Sequence, residues 1–206
     1  MALITPNPPR ATRKAFREGL AEMIRYGRAP KDLLKQDAPR EIYTLTLEEI
    51  VQGKGLGEPK PTAWEFLVGS ASGPAVAVGV AHPPPGKAPR MTSVTRGPDP
   101  AEALHAAEQV AKLPQVQARN YELRRLWIAG LYIGAYWLRA REGGPDLVVP
   151  DHALARELER MRAYSMDEFL AVVKPLAEKR LKFNDAPGQG GQRPAGTGAK
   201  KKSGGQ

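Results

Sequence analysis

Hydrophobic and polar positions change their period along the chain, and each period predicts one type of element. From Thr12 apolar side chains recur at helical spacing, and Gly27 is a suitable stop, so this segment predicts a helix. Its apolar positions are Phe16, Leu20, Met23 and Ile24. Shorter runs of apolar and β-branched residues predict strands, which cover residues 41–45, 63–69, 75–81, 91–96 and 146–149.

Further helix starts are predicted where a capping residue is followed three positions later by glutamate, because the pair satisfies free N–H groups of the first turn. Three segments have this spacing: Thr46 to Glu49, Asp99 to Glu102, and Ser165 to Glu168. They predict helices over residues 47–52, from the cap at Asp99 to about residue 112, and after the cap at Ser165. The apolar positions of the second helix are mostly alanine, which favours close packing on a sheet.

Asp151 predicts one more helix, because it is a suitable N-cap and apolar residues follow it at helical spacing. This helix would run to about residue 162. Leu154, Leu158 and Met161 would then face inward.

The aromatic-rich segment 121–139 decides the architecture and has two interpretations. As a helix it presents a continuous apolar stripe; as strands it breaks at Ala129 and Gly130 into two pieces rich in Trp, Tyr and Ile. Interior glycines cost a helix about 1 kcal/mol each, whereas aromatic and β-branched residues favour strands. We therefore favour two strands and keep the helix as the alternative.

Together these elements predict an α+β fold, in which helices pack on one face of an antiparallel meander sheet of about five to seven strands. Short loops rich in Gly and Pro between the predicted strands favour antiparallel neighbours. Residues 1–11 are predicted to be a flexible leader and 12–183 a single domain. Residues 184–206, rich in Gly, Pro and Lys, are predicted to be a disordered basic tail.

The formal charge of +9 is concentrated at the two ends of the chain. Residues 1–35 carry eight basic side chains against three acidic ones, 176–206 carry seven against two, and 36–175 carry sixteen against seventeen. A neutral body argues against a groove that follows phosphates, because binding grows with the number of phosphates neutralised. Weak, salt-dependent nucleic-acid association through the ends is the alternative function. Its contacts would be Arg13, Lys14, Arg17, Lys200, Lys201 and Lys202.

Composition also limits the chemistry. The absence of cysteine excludes disulfides, thiolate metal sites and a cysteine nucleophile, and with three histidines we predict no metal and no cofactor. A hydrolase that uses His82 or His152 is the least favoured function, since it needs a pocket that joins one histidine to a carboxylate and a hydroxyl. No apolar run reaches the ~20 residues that span a bilayer, so we predict no membrane span and a cytoplasmic location.

Tyr, Trp and Arg dominate binding hot spots, because each combines a large apolar area with a polar group. Residues 121–139 are dense in them, and the candidate partner-binding residues are Arg124, Arg125, Trp127, Tyr132, Tyr136 and Trp137. The same residues would equally form a core with arginines at its edge. The predicted function is a non-enzymatic module that binds another protein: an adaptor, a chaperone or an immunity-like protein. A deep cavity ringed by converging titratable groups would contradict this interpretation.

Three stretches resemble a group of small bacterial proteins without assigned function. They are Gly55-Leu56, residues 121–138 and residues 164–170, which read YSMDEFL. The resemblance covers about half of the chain; it implies a bacterial origin and transfers no activity and no site residues. Separately, the predicted order of elements is similar to that of secretion-chaperone-like folds, from which the basic ends depart.

Overall fold

The computed structural model of the chain describes residues 3–36, 39–53, 61–70, 74–96 and 98–184. Within these ranges it is an α+β fold with one mixed sheet of ten strands and five helices. The strands are β1 (Leu3–Ile4), β2 (Leu33–Gln36), β3 (Arg40–Thr44), β4 (Pro61–Ser70), β5 (Val76–Ala81), β6 (Arg90–Arg96), β7 (Tyr121–Ile128), β8 (Ile133–Ala140), β9 (Leu147–Ala153) and β10 (Tyr164–Ser165). The helices are α1 (Arg10–Arg25), α2 (Leu47–Val51), α3 (Pro98–Lys112), α4 (Pro114–Gln117) and α5 (Met166–Asn184).

The sheet consists of two antiparallel meanders joined by one parallel pair of strands. Eight strands follow one another in the order β10-β9-β8-β7-β3-β4-β5-β6, and β3 runs parallel to β7. β1 pairs with β7, and β2 pairs with β4. The predicted α+β class is confirmed, but the predicted number of five to seven strands is wrong. The prediction missed short strands such as β1 and β2, because they have no alternating pattern of their own and form by pairing with longer strands.

Helices cover both faces of the sheet, not one. Because side chains alternate along a strand, each strand contributes to both faces. The α5 face carries Tyr43, Phe66, Leu126 and Trp137, and it is covered by α1, α2 and α5. There Phe16 of α1 stacks on Phe66 with ring centroids 4.2 Å apart.

The opposite side, the α3 face, carries Ile42, Glu65, Arg125 and Tyr136. α3 contacts β4, β5, β6 and β9, so it crosses the sheet. The end of α3 and α4 close an apolar cluster over β7, β8 and β9 through Val110 and Val116. The start of α3 leaves a cavity above the floor of the sheet.

Residues 121–139 form the two strands β7 and β8, as favoured from the sequence. A 3₁₀ turn at Ala129–Leu131 separates them, at the predicted break at Ala129 and Gly130. The six residues 133–138 of β8 are all buried. A strand covered on both faces is apolar on both faces, which explains why its pattern resembled a helix.

The capping signals had different outcomes. The box at Thr46 is formed by reciprocal bonds with Glu49, and the box at Ser165 is formed in the same way with Glu168. The predicted cap at Asp99 is wrong, because α3 begins at Pro98 and Asp99 lies in its first turn. A local capping pattern is too short to exclude an earlier helix start.

The helix predicted from Asp151 to residue 162 is wrong. β9 continues through Ala153, and turns without a helix follow up to β10. Asp151 is buried and binds Arg125 instead of capping, and Leu154 is 69% exposed instead of facing inward. Pairing with β8 outweighs the local helical signal, because it satisfies the backbone of the whole segment.

The two ends of the chain were predicted to be a leader and a tail. Leu3–Ile4 of the predicted leader pairs in parallel with Tyr121 and Glu122 of β7. The predicted tail lies outside the described residues from position 185 onward, and so does Gly55-Leu56. Among the helices of the described ranges, none combines the length and apolar character needed to cross a membrane.

Candidate functional site

The six candidate partner-binding residues are divided between the two faces and the surface. Tyr136, Trp137 and Arg124 are buried, and Trp127 is half-buried. Only Tyr132 among these six is exposed, at 53%. The structure therefore does not bring them together as one surface patch, and a role in binding a partner stays a prediction for each of them.

Arg124 belongs to the core of the α5 face. Its Nε donates to Glu122 Oε1 at 2.7 Å. Its guanidinium carbon lies 4.8 Å from the ring centroid of Tyr43 and 4.6 Å from that of Trp137. Burial raises the pKa of Tyr43, and its hydrogen bond to Glu41 raises it further. These contacts give Arg124 a packing role, because the rings enclose its charge.

Arg125, the next residue, belongs to the α3 face. Its Nη1 donates to Asp151 Oδ1 at 2.6 Å, and its guanidinium carbon lies 4.9 Å from the ring centroid of Tyr136. Burial alone would lower the pKa of Arg125, but the carboxylates of Asp151 and Glu65 raise it above its usual value. The guanidinium is therefore charged, and the pair with Asp151 is an ion pair.

A cavity of about 490 Å³ lies beside this ion pair, between the start of α3 and the floor of the sheet. Six titratable side chains line it, from strands, α3 and the loop after β9. They are Glu65, Glu102, Arg125, Asp151, His152 and Arg160. The expectation that the body holds no such cluster is wrong. The six side chains come from segments that are far apart in the sequence, so the spacing of residues along the chain did not indicate that they lie together.

The cavity also satisfies part of the requirement for a hydrolase. It contains His152 together with carboxylates and with the hydroxyls of Ser93 and Thr95. Among the described residues, however, no hydrogen bond joins His152 to any of them, so no nucleophile and base are paired. The ring of His152 is instead tilted against Trp127, with centroids 6.5 Å apart.

His82 lies elsewhere, at the end of β5. Its Nε2 is 3.4 Å from Glu41 Oε1, and a smaller cavity of about 210 Å³ adjoins it. Within the described ranges, no three His, Asp or Glu side chains are arranged to hold a metal ion.

A second concave site, here called the apolar groove, lies at the opposite end of α5 from its capping box. Its volume is about 770 Å³. It is lined by three exposed apolar side chains: Tyr132 at 53%, Leu154 at 69% and Phe183 at 68%. The α5 side carries the cationic rim, defined as Lys179, Arg180 and Lys182, with Glu157 opposite. The arrangement suits an apolar group that carries negative charge nearby.

Tyr132 adopts a backbone conformation that tyrosine rarely adopts. Its φ is 53°, in the left-handed region, at the end of the turn between β7 and β8. This conformation costs a residue with a Cβ roughly 1–2 kcal/mol. Glycine would avoid the cost, so the strained tyrosine is a hint of a role outside the fold.

The candidate nucleic-acid contacts lie partly within the described chain. Arg13, Lys14 and Arg17 are exposed on α1, beside Arg10, and Lys14 Nζ is 3.7 Å from Glu18 Oε1. Lys200, Lys201 and Lys202 lie outside the described residues.

Several of these site residues escaped the sequence analysis. Glu65 carried a signal, because it is the one charge within an otherwise apolar strand segment, TAWEFLV. Leu154 was placed inside a helix that does not form, so its exposure was hidden. Phe183 followed the helical stripe of α5, and nothing local distinguished it from core positions.

Comparisons of the chain with protein-family models, curated proteins and solved structures gave no match. The resemblances named from the sequence therefore stay predictions. The function has to be argued from the geometry of the apolar groove and of the cavity.

Proposed function

We propose that the chain is a non-enzymatic protein-interaction module, an adaptor, chaperone or immunity-like protein. Its apolar groove would bind a segment of another protein that presents large apolar side chains flanked by Asp or Glu. The observation that carries the proposal is the convergence of Tyr132, Leu154 and Phe183 beside three cations.

The apolar part of the groove supplies the affinity. Each of the three side chains exposes more than half of its surface, and covering apolar surface contributes roughly 25 cal/mol per Å². Exposed apolar groups are ordinary when scattered, whereas a cluster in a concave site is typical of a binding surface. Tyrosine adds a hydroxyl that can hydrogen-bond at the edge of such a surface.

The charge of the rim selects the partner. Lys179, Arg180 and Lys182 line the groove with one acid, Glu157, so the rim favours an acidic segment. Residues 185–206 follow α5 directly, but they contain four basic side chains against one acidic and no large apolar residue. That composition suits the groove poorly, so the favoured occupant belongs to another protein.

A cavity ringed by titratable groups counts against a purely binding role, and the structure contains one. Because His152 forms no hydrogen bond with its carboxylates or hydroxyls among the described residues, the cavity does not by itself make the protein an enzyme. The proposal therefore depends on the apolar groove alone. Of the six partner-binding residues predicted from the sequence, Tyr132 is the one that lines this groove.

A photocrosslinking experiment tests the groove directly. The photoreactive amino acid p-benzoylphenylalanine replaces Leu154, or Glu108 on the exposed side of α3 as the matched control, in cells that produce the chain. We expect a discrete adduct with an acidic protein from position 154 and not from position 108.

Two variants of the crosslinking chain separate charge from apolar contact. Charge reversal at Lys179 and Lys182, both exposed, should abolish the adduct, and Phe183→Ser should weaken it by about tenfold. Equal adducts from positions 154 and 108, no adduct from 154, or an adduct that survives charge reversal would each contradict the proposal.

Nucleic-acid association remains a second candidate, because Arg10, Arg13, Lys14 and Arg17 are all exposed on one helix. This candidate predicts an affinity for duplex DNA or for RNA that falls steeply with salt. Charge reversal at Arg13 and Arg17 should remove it, whereas reversal at the exposed Lys87 should not. An absence of binding at low salt would exclude this candidate.

A further inference from the structure

We propose that the cavity between α3 and the sheet binds a neutral saccharide ring. This site is separate from the apolar groove, which lies on the other face of the sheet. A volume of about 490 Å³ falls within the ~300–1,000 Å³ of small-molecule sites. The inference does not depend on the proposed protein partner.

Two glycines in the strands beneath the cavity let cavity-lining side chains lie flat against the sheet. Gly134 lies between Trp127 and His152 in one row of the sheet, and a Cβ there would come within 2.8 Å of Arg125 Nη2. Gly79 lies between Glu65 and Ser93 in another row, and a Cβ there would collide with the Ser93 hydroxyl. In both rows, polar side chains fill space that another residue would occupy.

The charges around the cavity are already paired with one another. Arg125 binds Asp151, Arg160 Nη2 lies 3.5 Å from Glu102 Oε2, and Arg40 Nη1, buried on the same face of the sheet, lies 3.6 Å from Glu65 Oε2. A charged ligand would have to break one of these pairs and leave a partially buried charge without its partner. A neutral ligand avoids that cost.

Polar groups without hydrogen bonds remain on the walls. In the described part of the chain, Glu65 lines the cavity with its side chain 20% exposed; its Oε2 is buried 3.6 Å from Arg40 Nη1 and accepts no hydrogen bond, so a ligand would reach the other oxygen, Oε1. The hydroxyls of Ser93 and Thr95 also line it and are exposed. The carboxylate needs a donor, whereas these hydroxyls donate and accept. Ligand hydroxyl groups meet both requirements, because each has one donor and two lone pairs.

An aromatic face completes the site. Trp127 lines the cavity and is half-buried, so part of its indole ring is open to a ligand. The wall from α3 opposite the floor consists of Pro100, Ala103 and Ala106 together with Glu102, and it offers no second aromatic plane. A sugar ring presents C–H groups on one face and hydroxyls at its edge, which matches one indole face and a polar rim.

The mouth of the cavity can admit a ligand. The ion pair of Arg160 and Glu102 spans from the loop after β9 to α3, and both side chains are more than half exposed. Exposed ion pairs of this kind contribute little to stability, so breaking this one to admit a ligand costs little free energy. Arg160 Nε also donates to the carbonyl oxygen of Asp151 at 2.7 Å, which holds the loop close to the floor.

Tryptophan fluorescence gives a direct readout of binding. Trp64 and Trp137 are 3% and 2% exposed, so a change caused by a ligand in the cavity reports mainly on Trp127. The probes are the methyl glycosides of glucose, galactose and mannose, and N-acetylglucosamine, with cyclohexylmethanol as the apolar control. We expect saturable binding of at least one sugar, with a dissociation constant on the order of 1 mM, and none of the control.

Variants then place the site, with calorimetry as the second readout. Ser93→Ala and Thr95→Val leave the buried ion pairs intact and should each weaken sugar binding by about threefold to tenfold. Glu65→Gln should weaken it further, and Glu108→Gln, on α3 outside the cavity, should change nothing. No saturation with any of the four sugars would overturn the proposal. Equal binding of cyclohexylmethanol, or sugar binding that does not change in the Ser93 and Thr95 variants, would also overturn it.

Discussion

Arg124 and Arg125 are neighbours in the sequence, and both place a cation against aromatic rings, yet their surroundings differ. Arg124 points to the α5 face, where Tyr43 and Trp137 enclose it and Glu122 of the same strand neutralises it. Arg125 points to the α3 face, where its carboxylate partner Asp151 lies 26 positions away in the chain.

The difference between the two arginines reflects a difference between the two faces of the sheet. On the α5 face three helices close an apolar core, and the packed rings around Arg124 hold its guanidinium in one position. On the α3 face one helix with small side chains bridges a charged floor and leaves open volume. Burial of an arginine therefore does not distinguish a core from a site; the space beside it does.

The largest effect is expected from Asp151→Ala, which leaves Arg125, 13% exposed, without its hydrogen-bonded carboxylate partner. We expect a loss of about 3–5 kcal/mol in the free energy of unfolding, measured with urea. Glu122→Ala, on the other face, should cost less, because Arg124 keeps both ring contacts. Equal losses would remove the distinction between a ligand-site pair and a core pair.

Gly134→Ala should come next, with a loss of about 1–3 kcal/mol from overpacking. The new Cβ would press on Arg125 and on the ring of Trp127, so sugar binding should also be lost. Gly130→Ala is the matched control, because its Cβ would press on Leu47 of α2, 2.7 Å from Cγ. It should destabilise the protein while sugar binding persists. Loss of binding in both variants would point to general unfolding.

Tyr136→Phe tests the connection between the α3 face and its helix. The Tyr136 hydroxyl donates to the Ala103 carbonyl oxygen at 2.7 Å, and its loss should cost about 1 kcal/mol. Burial raises the pKa of Tyr136 to about 12 from 10.0, against the lowering effect of Arg40 and Arg125.

The raised pKa of Tyr136 also predicts a dependence of stability on pH. Because the fold favours the neutral phenol, this stabilisation is complete below pH 10 and declines as the pH rises toward 12. Urea unfolding at alkaline pH should therefore show a steeper loss of stability in the parent chain than in Tyr136→Phe. Parallel profiles would mean that Tyr136 ionises as freely in the fold as in the unfolded chain.

The smallest effect, and the one with opposite sign, is expected from Tyr132→Gly in the apolar groove. Relief of the left-handed backbone should raise the stability by about 1 kcal/mol, while crosslinking from position 154 should decline. Met161→Gly relieves the same kind of strain, at φ 62°, outside the groove and should leave crosslinking unchanged. A loss of stability in Tyr132→Gly would mean that the ring serves the fold.

Much of the local structure was predictable, because it depends on residues close together in the sequence. The capping boxes at Thr46 and Ser165, the strands β3 to β6 and the break at Ala129 follow from local chemistry. The helix predicted from Asp151 failed because its competitor, pairing with β8, is a long-range interaction that a local pattern does not contain.

The candidate sites were less predictable than the elements. Tyr132 was found because aromatic and arginine side chains are typical of binding surfaces. Glu65, Leu154 and Phe183 were missed, because their roles depend on which segments cover them. The cavity lies between the start of α3 and strands that are far apart in the chain, so no local pattern indicates it.

By itself the sequence determined the alternation of side chains, the helix starts and the concentration of positive charge at the ends, since these depend on residue type and spacing. Only the tertiary structure decided that Arg125 meets Asp151, that α3 crosses above them and that three apolar side chains stay uncovered. Such meetings depend on strand order and register, which join segments that are far apart in the chain.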